Sequence, residues 1–497
     1  MNPVKKIVQF GCIAALGMMT LVGCSSSTDR DAKTATSALI NENKNIVAFG
    51  HISVQSLLDK LDYKGLPMAG AILSGELSSW EKAVDFSKPV YVAMQAPFAA
   101  DGSPELTYAI LDVKDKDSLI DKFNSMGYAA DKTGEIDCFN NGDVTIGVRN
   151  NLAIVLIKGG DYDFKALLAT AFSQTEGDES EGKTATILDA SGDIVTGLNI
   201  ERLYTTSNTS LTKLDAAKKK ELDKLTADAF VQSVTNFENG KMTVKVSNLF
   251  SEELKDRLFF KEDGSASVLK KLGTGNAWMG VSLNLDIRKM ESFIAEFAPD
   301  AEEKMNNAMP GEAMMAMAMM GEHPFGKMFS GQLGFVLTGD PKNSMGMLPQ
   351  FNFFLGLGSK GDFINEKASE YATLMQLEKQ GDAFVTEGMA VAPRKDGLYG
   401  YTIPMSNSGI LKIPAFAKGF GKNTFSMFIN FGQIDVKSLE LDDEMRVLEI
   451  MDTFVINADR DGGEMVLTTK NKSSNILKQV GLFYAKIYTE KMSGMSM

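Results

Sequence analysis

Ser267 and Lys270 are a pair whose residue types and spacing could do covalent chemistry. In a helix, a separation of three residues places the lysine amine beside the serine hydroxyl, where the amine can take the proton and leave a nucleophilic oxygen. Ser-x-x-Lys is also frequent by chance, and the Lys-Thr-Gly at Lys132 precedes the serine, although this type of hydrolase needs it afterwards. We therefore favour a surface serine and lysine and keep a serine-type hydrolase as an alternative.

Histidine and cysteine are scarce, with two and three copies in 497 residues. His51 lies in an alternating apolar stretch and His323 in a polar loop, and we expect both to be packed or surface residues because no cysteine or second histidine is close in sequence. Cys138 is expected to be a small buried hydrophobe. Gly-x-Ser-x-Gly, Walker and His-Glu-x-x-His motifs are absent from the sequence. The sequence thus predicts no catalytic residue, no cofactor and no metal site.

Methionines are concentrated in residues 305–320. This run contains Met305, Met309, Met314, Met315, Met317, Met319 and Met320. Alanine and methionine are good helix formers and Gly321 supplies a stop, so the sequence predicts a short helix over residues 313–320. We expect this helix to be buried, because its side chains are apolar all round. An adaptable apolar surface or lid is one alternative, and a soft Cu(I) site in a metal-handling protein is another.

The first residues resemble the leader of an exported protein. Lys5 and Lys6 precede an apolar run over residues 7–22, and the run ends in Leu21-Val22-Gly23-Cys24, which resembles a lipobox. The resemblance implies that residues 1–23 are a signal peptide and that Cys24 is the lipidation site that anchors the chain to a membrane. An uncleaved membrane helix is the alternative, but the run is short for a span of about 20 residues. The polar residues 24–44 predict a flexible tether.

Charge and composition exclude several classes of protein. The formal net charge is −13, and a nucleic-acid partner is not expected because phosphate binding needs clustered lysines and arginines. Apolar residues make up 44% of the chain and charged residues 23%, which is typical of a globular protein. After the leader, no stretch reaches about 18 uninterrupted apolar residues. We therefore expect the body of the protein to lie outside the membrane.

A pattern of aliphatic residues occurs four times along the chain and predicts its strands and helices. An apolar strand followed by aliphatic-x-aliphatic-x-x-aliphatic occurs at Ile52, Leu198, Leu285 and Ile434. The first two occurrences are 146 residues apart and the last two are 149 apart. These matched offsets predict two copies of one larger unit, in which Ile52 should superpose on Leu285 and Leu198 on Ile434.

Hairpin signals support the same organisation. Asn239-Gly240 and Asp461-Gly462-Gly463 each lie between alternating apolar runs, as in tight β-turns. Strands alternate with short helices, such as one over residues 117–123 for which Asp117 is a candidate N-cap, and residues 174–183 predict a solvated acidic loop. We predict an α+β fold of two tandem homologous halves, residues 45–262 and 263–490. Each half is expected to be a mainly antiparallel sheet with packed helices, and residues 491–497 to be a disordered tail.

A family resemblance rests on four features. They are the lipobox, the opening strand and helix over residues 45–61, the twofold layout, and the phrase Val84-Asp85-Phe86-Ser87-Lys88-Pro89-Val90-Tyr91-Val92. Together they resemble a family of bacteroidete-type envelope lipoproteins that carry a domain of unknown function. The resemblance implies an outer-membrane lipoprotein with duplicated α+β units, and it brings no activity and no functional residues. Surface-exported members tend to have acidic residues directly after the cysteine, whereas serines follow Cys24 here, so the periplasmic and surface faces both remain open.

The sequence as a whole predicts a non-catalytic, lipid-anchored envelope lipoprotein with a binding or structural role. Its expected partners are the membrane, through the N-terminal lipid, and an envelope protein or an apolar ligand. The serine-type hydrolase at Ser267 and Lys270 and the methionine-rich metal-handling protein remain the two alternatives.

Overall fold

The computed structural model describes residues 30–66, 69–98, 102–142, 144–158, 162–207, 214–261, 266–298, 311–341, 350–386, 388–402, 411–436, 442–443 and 445–494. These residues divide into two compact units. Of the described chain, unit 1 contains residues 30–207, 228–244 and 471–494, and unit 2 contains residues 214–227 and 245–470. No helix within the described ranges is both long enough and apolar enough to cross a membrane.

Helices and antiparallel strands are mixed along the whole described chain. The helices are α1 (Ala32–Glu42), α2 (Val54–Leu61), α3 (Ala69–Trp80), α4 (Lys116–Ser125), α5 (Phe164–Gln174), α6 (Lys183–Leu188), α7 (Ile200–Ser207), α8 (Ala216–Thr226), α9 (Glu252–Arg257), α10 (Ala266–Leu269), α11 (Ile287–Phe297), α12 (Gly311–Met320), α13 (Pro324–Met328), α14 (Asp362–Leu374) and α15 (Ile476–Gly494).

The strands are β1 (Ile46–Ile52), β2 (Val90–Phe98), β3 (Pro104–Asp112), β4 (Ala129–Thr133), β5 (Ile136–Asn140), β6 (Val144–Arg149), β7 (Leu152–Ile157), β8 (Ile194–Asn199), β9 (Phe230–Glu238), β10 (Lys241–Leu249), β11 (Gly275–Asn284), β12 (Phe329–Thr338), β13 (Gln350–Leu357), β14 (Glu378–Gln380), β15 (Ala383–Thr386), β16 (Met389–Arg394), β17 (Gly397–Thr402), β18 (Leu411–Lys412), β19 (Phe425–Asn430), β20 (Met451–Asp459) and β21 (Gly462–Thr469).

In unit 1 the strands form an antiparallel sheet in the order β4-β5-β6-β7-β3-β2-β1-β8-β9. Strand β1 is central and pairs with β2 on one side and with β8 on the other, so Gly50 lies between Val92 and Thr196. A Cβ on Gly50 would lie only 1.9 Å from the carbonyl oxygen of Val195, which explains why a glycine occupies this position between the two neighbouring strands.

In unit 2 the strands form an antiparallel sheet in the order β14-β15-β16-β17-β13-β12-β11-β19-β20-β21. From β14 to β20 this order repeats that of unit 1 strand for strand, with β11 in the place of β1 and β19 in the place of β8. The predicted α+β fold class, with mainly antiparallel sheets and packed helices, is confirmed. That the units are homologous copies stays a prediction.

Three of the four aliphatic patterns lie where a strand passes into a helix. Val54, Ile200 and Ile287 are each the first residue of a helix, and each lies within three residues of the end of a strand. The fourth pattern differs, because a 3-10 turn over Phe431–Gln433 separates Ile434 from β19. Leu198 lies within β8, so the expected match of Leu198 with Ile434 is wrong. The added turn moves the pattern beyond the end of the strand.

Both predicted hairpins are confirmed. The chain passes from β9 to β10 through Asn239 and Gly240, and Gly240 has a φ of +63°, which glycine adopts without strain. Strands β20 and β21 pair across the turn that contains Arg460 and Asp461. The helix expected at Asp117 begins one residue earlier, because Asp115 is its N-cap and accepts a 3.0 Å hydrogen bond from the amide of Ser118.

Each unit has its own hydrophobic core. The core of unit 1 joins α2, α3 and α4 to the sheet, and its largest buried side chains include Leu77, Trp80, Phe86, Leu119, Phe123 and Phe139. The core of unit 2 contains Val268, Leu272, Val336, Phe354, Phe420 and Phe428. Aromatic rings pack closely in both, with centroid separations of 5.7 Å between Trp80 and Phe123 and 4.9 Å between Phe420 and Phe428.

The expected flexible tether over residues 24–44 is wrong for its described part. Residues 32–42 form α1, which Asp31 caps by accepting a 2.8 Å hydrogen bond from the amide of Thr34. The face of α1 that contains Ala35, Leu39 and Ile40 is buried. The small side chains of this helix allow close packing against the body of unit 1, a property that a count of polar residues does not reveal. Residues 24–29 lie outside the described chain.

The acidic segment between α5 and α6 is also more ordered than a solvated loop. Arg30 donates a 3.0 Å hydrogen bond to the carbonyl of Thr175, and the amide of Ser180 donates a 2.9 Å bond to Ser37 Oγ. Asn41 Nδ2 donates a further bond of 3.2 Å to the carbonyl of Asp178. The loop is therefore hydrogen-bonded along α1, with its acidic side chains left outside.

The boundaries of the units differ from those of the predicted halves. Residues 471–494 belong to unit 1, where Lys478 forms a 2.7 Å ion pair with Asp62, whereas residues 214–227 and 245–261 belong to unit 2. Helix α15 packs closely on α2, because a Cβ on Gly481 would lie 2.7 Å from Leu61 Cδ1. The helix extends to Gly494, so residues 491–494 are not a disordered tail. Residues 495–497 lie outside the described chain.

Candidate functional site: an apolar cavity beside the methionine helix

Two helices of unit 2 and the turn after them form the walls of the candidate site. Helix α11 starts at the N-cap Asp286, which accepts a 3.1 Å hydrogen bond from the amide of Lys289. Helix α12 contains most of the methionine run and ends before Gly321, whose φ of +67° allows the chain to leave the helix. His323 also has a positive φ, of 53°, and Pro324 then opens α13.

These elements line a half-open cavity of about 430 Å³. Its lining is mainly apolar and consists of Met290, Glu291, Ser292, Ile294, Ala295, Met317, Glu322, His323, Pro324 and Phe325. Met317 is only 8% exposed and forms the α12 side of the wall. The fully buried Phe297 lies on the same helix as Met290 and Ile294. A cavity of this size and lining can hold a small apolar molecule or part of a longer one.

The helix predicted for residues 313–320 is confirmed, whereas its expected burial is wrong for two of its methionines. Met315 is 68% exposed and Met319 is 85% exposed. Met317 lies between them in sequence on the buried side, so α12 divides its methionines between the cavity and the solvent. Exposed apolar side chains of this size mark contact surfaces when they cluster. Met305 and Met309 lie outside the described residues.

Backbone groups around the cavity are already satisfied by two charged side chains. Glu291 accepts hydrogen bonds from the amides of Phe325, at 2.6 Å, and Gly326, at 2.8 Å, and so stabilises the start of α13. Lys327 donates a 2.7 Å hydrogen bond to the carbonyl of Met320 at the end of α12. These bonds hold α11, α12 and α13 together. The carboxylate of Glu322 and the imidazole of His323 are the remaining ionisable groups of the lining.

Ser267 and Lys270 do not take part in this site. Ser267 lies on the four-residue helix α10, where its exposed hydroxyl accepts a 2.7 Å hydrogen bond from Gln332 Nε2. Lys270 follows the end of that helix and is also exposed. Neither residue lines the cavity beside α12. The serine-type hydrolase remains a hypothesis that gains no support from these positions.

The two histidines lie in different environments. His51 is buried in β1, where Nε2 is 3.0 Å from the carbonyl oxygen of Ala190 and the ring is 5.7 Å from that of Tyr91. Burial lowers the pKa of His51 below its usual value, and the hydrogen bond to Ala190 opposes this shift only in part. His51 is therefore a packed residue, as expected, while His323 lines the cavity.

Cys138 is fully buried in β5, so its predicted role as a small core residue is confirmed. Burial also raises the pKa of its thiol, which makes it a poor nucleophile. In the described ranges, no group of three or more histidine, cysteine, aspartate or glutamate side chains is arranged to hold a metal ion. Cys24, the predicted lipidation site, lies outside the described residues.

Sequence reasoning found one wall of the cavity and missed the other. The methionine run identified α12, and Met290 was noted only as part of the aliphatic pattern at Leu285, whereas Ile294 and Phe325 were not singled out. The available signal was the spacing of Ile287, Met290 and Ile294, which repeats at helical intervals and gives α11 one apolar side. That spacing predicts an apolar face, but it does not show whether another helix fills the space beside it.

Comparison with known proteins adds little. No protein-family model matches the chain, and no characterised protein sequence matches it either. Among solved structures, crystal form III of TP0453 covers 46% of this chain and 86% of its own, at 8% identity and a TM-score of 0.28. Crystal form IV of TP0453 covers 44% of this chain and 80% of its own, at 8% identity and a TM-score of 0.26. Similarities with such low TM-scores carry no argument about function.

Proposed function

We propose that this chain is a lipid-anchored, non-catalytic envelope lipoprotein whose unit 2 binds an apolar ligand between α11 and α12. The observation that carries the proposal is the cavity of about 430 Å³, which falls within the roughly 300–1,000 Å³ typical of small-molecule sites. Anchoring rests on the lipobox-like sequence before Cys24 and on the family resemblance. We expect the ligand to be an acyl chain, because the lining is mainly apolar, with its polar end near His323.

Methionine suits this role physically. Its unbranched thioether side chain has several rotatable bonds and can repack around apolar ligands of different shape. Met290 and Met317 lie on opposite helices of the cavity, and the exposed Met315 and Met319 are on the same helix as Met317. A ligand that is too long for the cavity can therefore extend over α12, where the exposed Met315 and Met319 offer it uncharged, apolar side chains.

A tryptophan placed in the cavity tests the binding proposal. Ala295 is exposed and lines the cavity, so Ala295→Trp should fill it without disturbing the core. Binding of a fluorescent fatty acid to the full mature chain should weaken at least about tenfold, which corresponds to about 1.4 kcal/mol. Ala318→Trp is the matched control, since Ala318 is exposed on α12 but does not line the cavity. Equal affinities in the two tryptophan variants would contradict the proposal.

The anchor has a separate test. Cys24→Ala should release the protein from the membrane fraction or mislocalise it, because buried acyl methylenes, each worth about 0.8 kcal/mol, are its proposed attachment. Cys138→Ala is the matched control and should stay with the membrane, since Cys138 is a buried core residue and is not the proposed lipidation site. If the Cys24→Ala variant stayed in the membrane fraction after a high-salt wash, the proposal that the protein is a lipoprotein would be wrong.

Copper handling is a second candidate, favoured by one observation. Met290, Met317 and His323 bring two thioethers and one imidazole to the same cavity, and both ligand types suit Cu(I). If Cu(I) binds there, titration should raise the melting temperature of the wild type but not of a Met290→Leu, Met317→Leu variant. Leucine keeps the apolar volume and removes the thioether. Equal shifts of the melting temperature in the two proteins would therefore exclude Cu(I) binding at this cavity and leave the apolar ligand as the proposal.

A further inference from the structure

Helix α1 brings the folded body of unit 1 close to the proposed anchor. Only residues 25–29 separate Cys24 from Arg30, the first described residue. Six residue steps span at most about 20 Å when fully extended, at roughly 3.3–3.6 Å each. A tether that continued to residue 44 would reach about 70 Å by the same measure. The reach of the anchor therefore depends on whether α1 is a fixed part of unit 1.

Both ends of α1 are held by the body of the unit. At its start, the amide of Ala32 donates a 3.3 Å hydrogen bond to Asp112 Oδ1, and Lys88 Nζ is 3.2 Å from the same oxygen. At its end, Arg202 Nη1 donates to the carbonyls of Ile40, at 2.9 Å, and Ile46, at 3.1 Å. Releasing α1 would expose its buried apolar face and leave these groups without partners. Helix α1 therefore cannot unfold to lengthen the tether between Cys24 and unit 1.

The direction of α1 identifies which end of the sheet is near the anchor. Asp112 is the last residue of β3, so the start of α1 lies at the end of the sheet where β1 and β2 pair through Ile52 and Val90. The C-terminal end of α1 lies at the opposite end of these strands, because Asn43 Nδ2 donates a 2.8 Å hydrogen bond to Gln95 Oε1 late in β2. We call the first of these the anchor-proximal end; its exposed residues include Ser87, Lys88 and Lys114.

We propose that the anchor-proximal end of unit 1 is a membrane-facing surface, held against the lipid bilayer by the short segment between Cys24 and α1. This inference rests on the proposed lipid anchor. The seven residues of β1 are about 20 Å long. Turning unit 1 over would therefore lift Arg30 about that far from the bilayer and require residues 25–29 to be fully extended, which chain entropy opposes.

Energy transfer from the protein to a labelled membrane tests this orientation. The mature lipidated chain is reconstituted into phosphatidylethanolamine and phosphatidylglycerol vesicles that carry an acceptor dye on a lipid headgroup. A donor is attached at Ser87→Cys, at the anchor-proximal end, or at Lys44→Cys, beyond the end of α1, both of which are exposed positions. Cys138 is fully buried and should not react with the dye. Lys114→Cys is a second anchor-proximal position in case Ser87→Cys fails to fold.

Transfer should be stronger from the anchor-proximal positions than from Lys44→Cys. A flexible insertion of about 20 Gly and Ser residues after Ser27 adds a root-mean-square reach of about 25 Å, and it should remove that difference. Equal transfer from both ends without the insertion, or stronger transfer from Lys44→Cys, would overturn the inference while leaving the anchor intact. If Cys24→Ala also stays on the vesicles, the anchor itself fails and the inference fails with it.

Discussion

Among the described elements, α3 of unit 1 and α12 of unit 2 both lie between the central strand of their sheet and the next strand along the chain, and they differ in burial. In unit 1, α2 and α3 connect β1 to β2; in unit 2, α11 and α12, followed by α13, connect β11 to β12. Leu77 and Trp80 of α3 are buried in the core of unit 1. Helix α12 buries Met317 only at the wall of a cavity, and it exposes Met315 and Met319.

This difference shows how one arrangement of strands can support two uses. A second helix with a leucine and a tryptophan on its inner face fills the space beside its sheet, and the result is a packed core. Helix α12 instead borders an open space, with the adaptable side chain of Met317 in its wall. The described part of α3 thus belongs to a packed core, whereas α12 borders the cavity in which we propose that a ligand binds.

The largest expected effect tests the packed half of this comparison. Trp80→Ala removes a buried indole that packs on Phe123, and it should lower the free energy of unfolding by about 3–5 kcal/mol. Met317→Ala in α12 should cost only about 1 kcal/mol, because the lost side chain already borders a cavity. Urea denaturation of both variants measures the difference. Similar losses would mean that α12 is as much a part of a core as α3.

The next largest effect is expected for a buried ion pair in unit 1. Asp193 of unit 1 accepts 2.6 Å hydrogen bonds from Lys60 Nζ, Ser56 Oγ and the amide of Phe237, and its side chain is almost fully buried. Asp193→Ala should therefore cost about 2–3 kcal/mol, less than a fully buried pair because Lys60 can still reach water.

The matched change in unit 2 is Asp396→Ala. Asp396 pairs with Lys271, and their side chains are 49% and 37% exposed, so water screens the pair and its loss should cost less than about 1 kcal/mol. Urea denaturation again gives both values. A larger loss for Asp396→Ala than for Asp193→Ala would contradict the view that unit 1 is the more tightly held half.

The pH dependence of unit 1 should depend on His51. Because burial lowers the pKa of His51 below 6.5, the unfolded chain binds its proton more tightly than the folded chain. His51 therefore contributes stability above pH 6.5 that is lost as the pH falls from there through its lower folded pKa. Urea midpoints measured from pH 7 to pH 5 should fall less steeply in His51→Phe than in the wild type. An unchanged slope would show that His51 does not control this window.

The smallest effect on stability is expected for a substitution on the exposed side of α12. Met319 is 85% exposed, so Met319→Asp should change the free energy of unfolding by no more than about 0.5 kcal/mol. The same change should weaken binding of a long fluorescent fatty acid, because it places a charge on the apolar surface of α12. Met319→Leu is the control and should keep the binding. A large loss of stability in Met319→Asp would show that the methionine is covered in the native protein.

Local features of the fold could be predicted because they depend on neighbouring residues. The aliphatic patterns at Ile52 and Leu285 lie where strands pass into helices, and the turns at Gly240 and Gly462 form hairpins. In each case the signal lies within about ten residues, which is the range over which periodicity and turn chemistry act. The α+β class follows from the same local signals. The pattern at Ile434 misled the prediction because a single extra turn displaced it from β19.

The site could be predicted only in part, because a cavity depends on what two helices do together. Met317 and Met319 are two positions apart in the same apolar run, and nothing in the run shows that one is 8% exposed and the other 85%. The position of α11 opposite Met317 decides this. Ser267 and Lys270 illustrate the converse, since their spacing suits catalysis but the helix that contains Ser267 ends before Lys270 and both residues are exposed.

The α+β class, both hairpins and the helix over residues 313–320 could be predicted from the sequence, because each is specified by residues that are close together along the chain. The export signal stays a prediction of the same local kind. Tertiary structure decided the rest. Only packing against Asp112, Ser180 and Arg202 shows that residues 32–42 are a fixed helix instead of a tether. Only the space between α11 and α12 turns a methionine-rich segment into a cavity wall with an exposed outer face. Burial is a property of the whole assembly of elements, so no local pattern can state it.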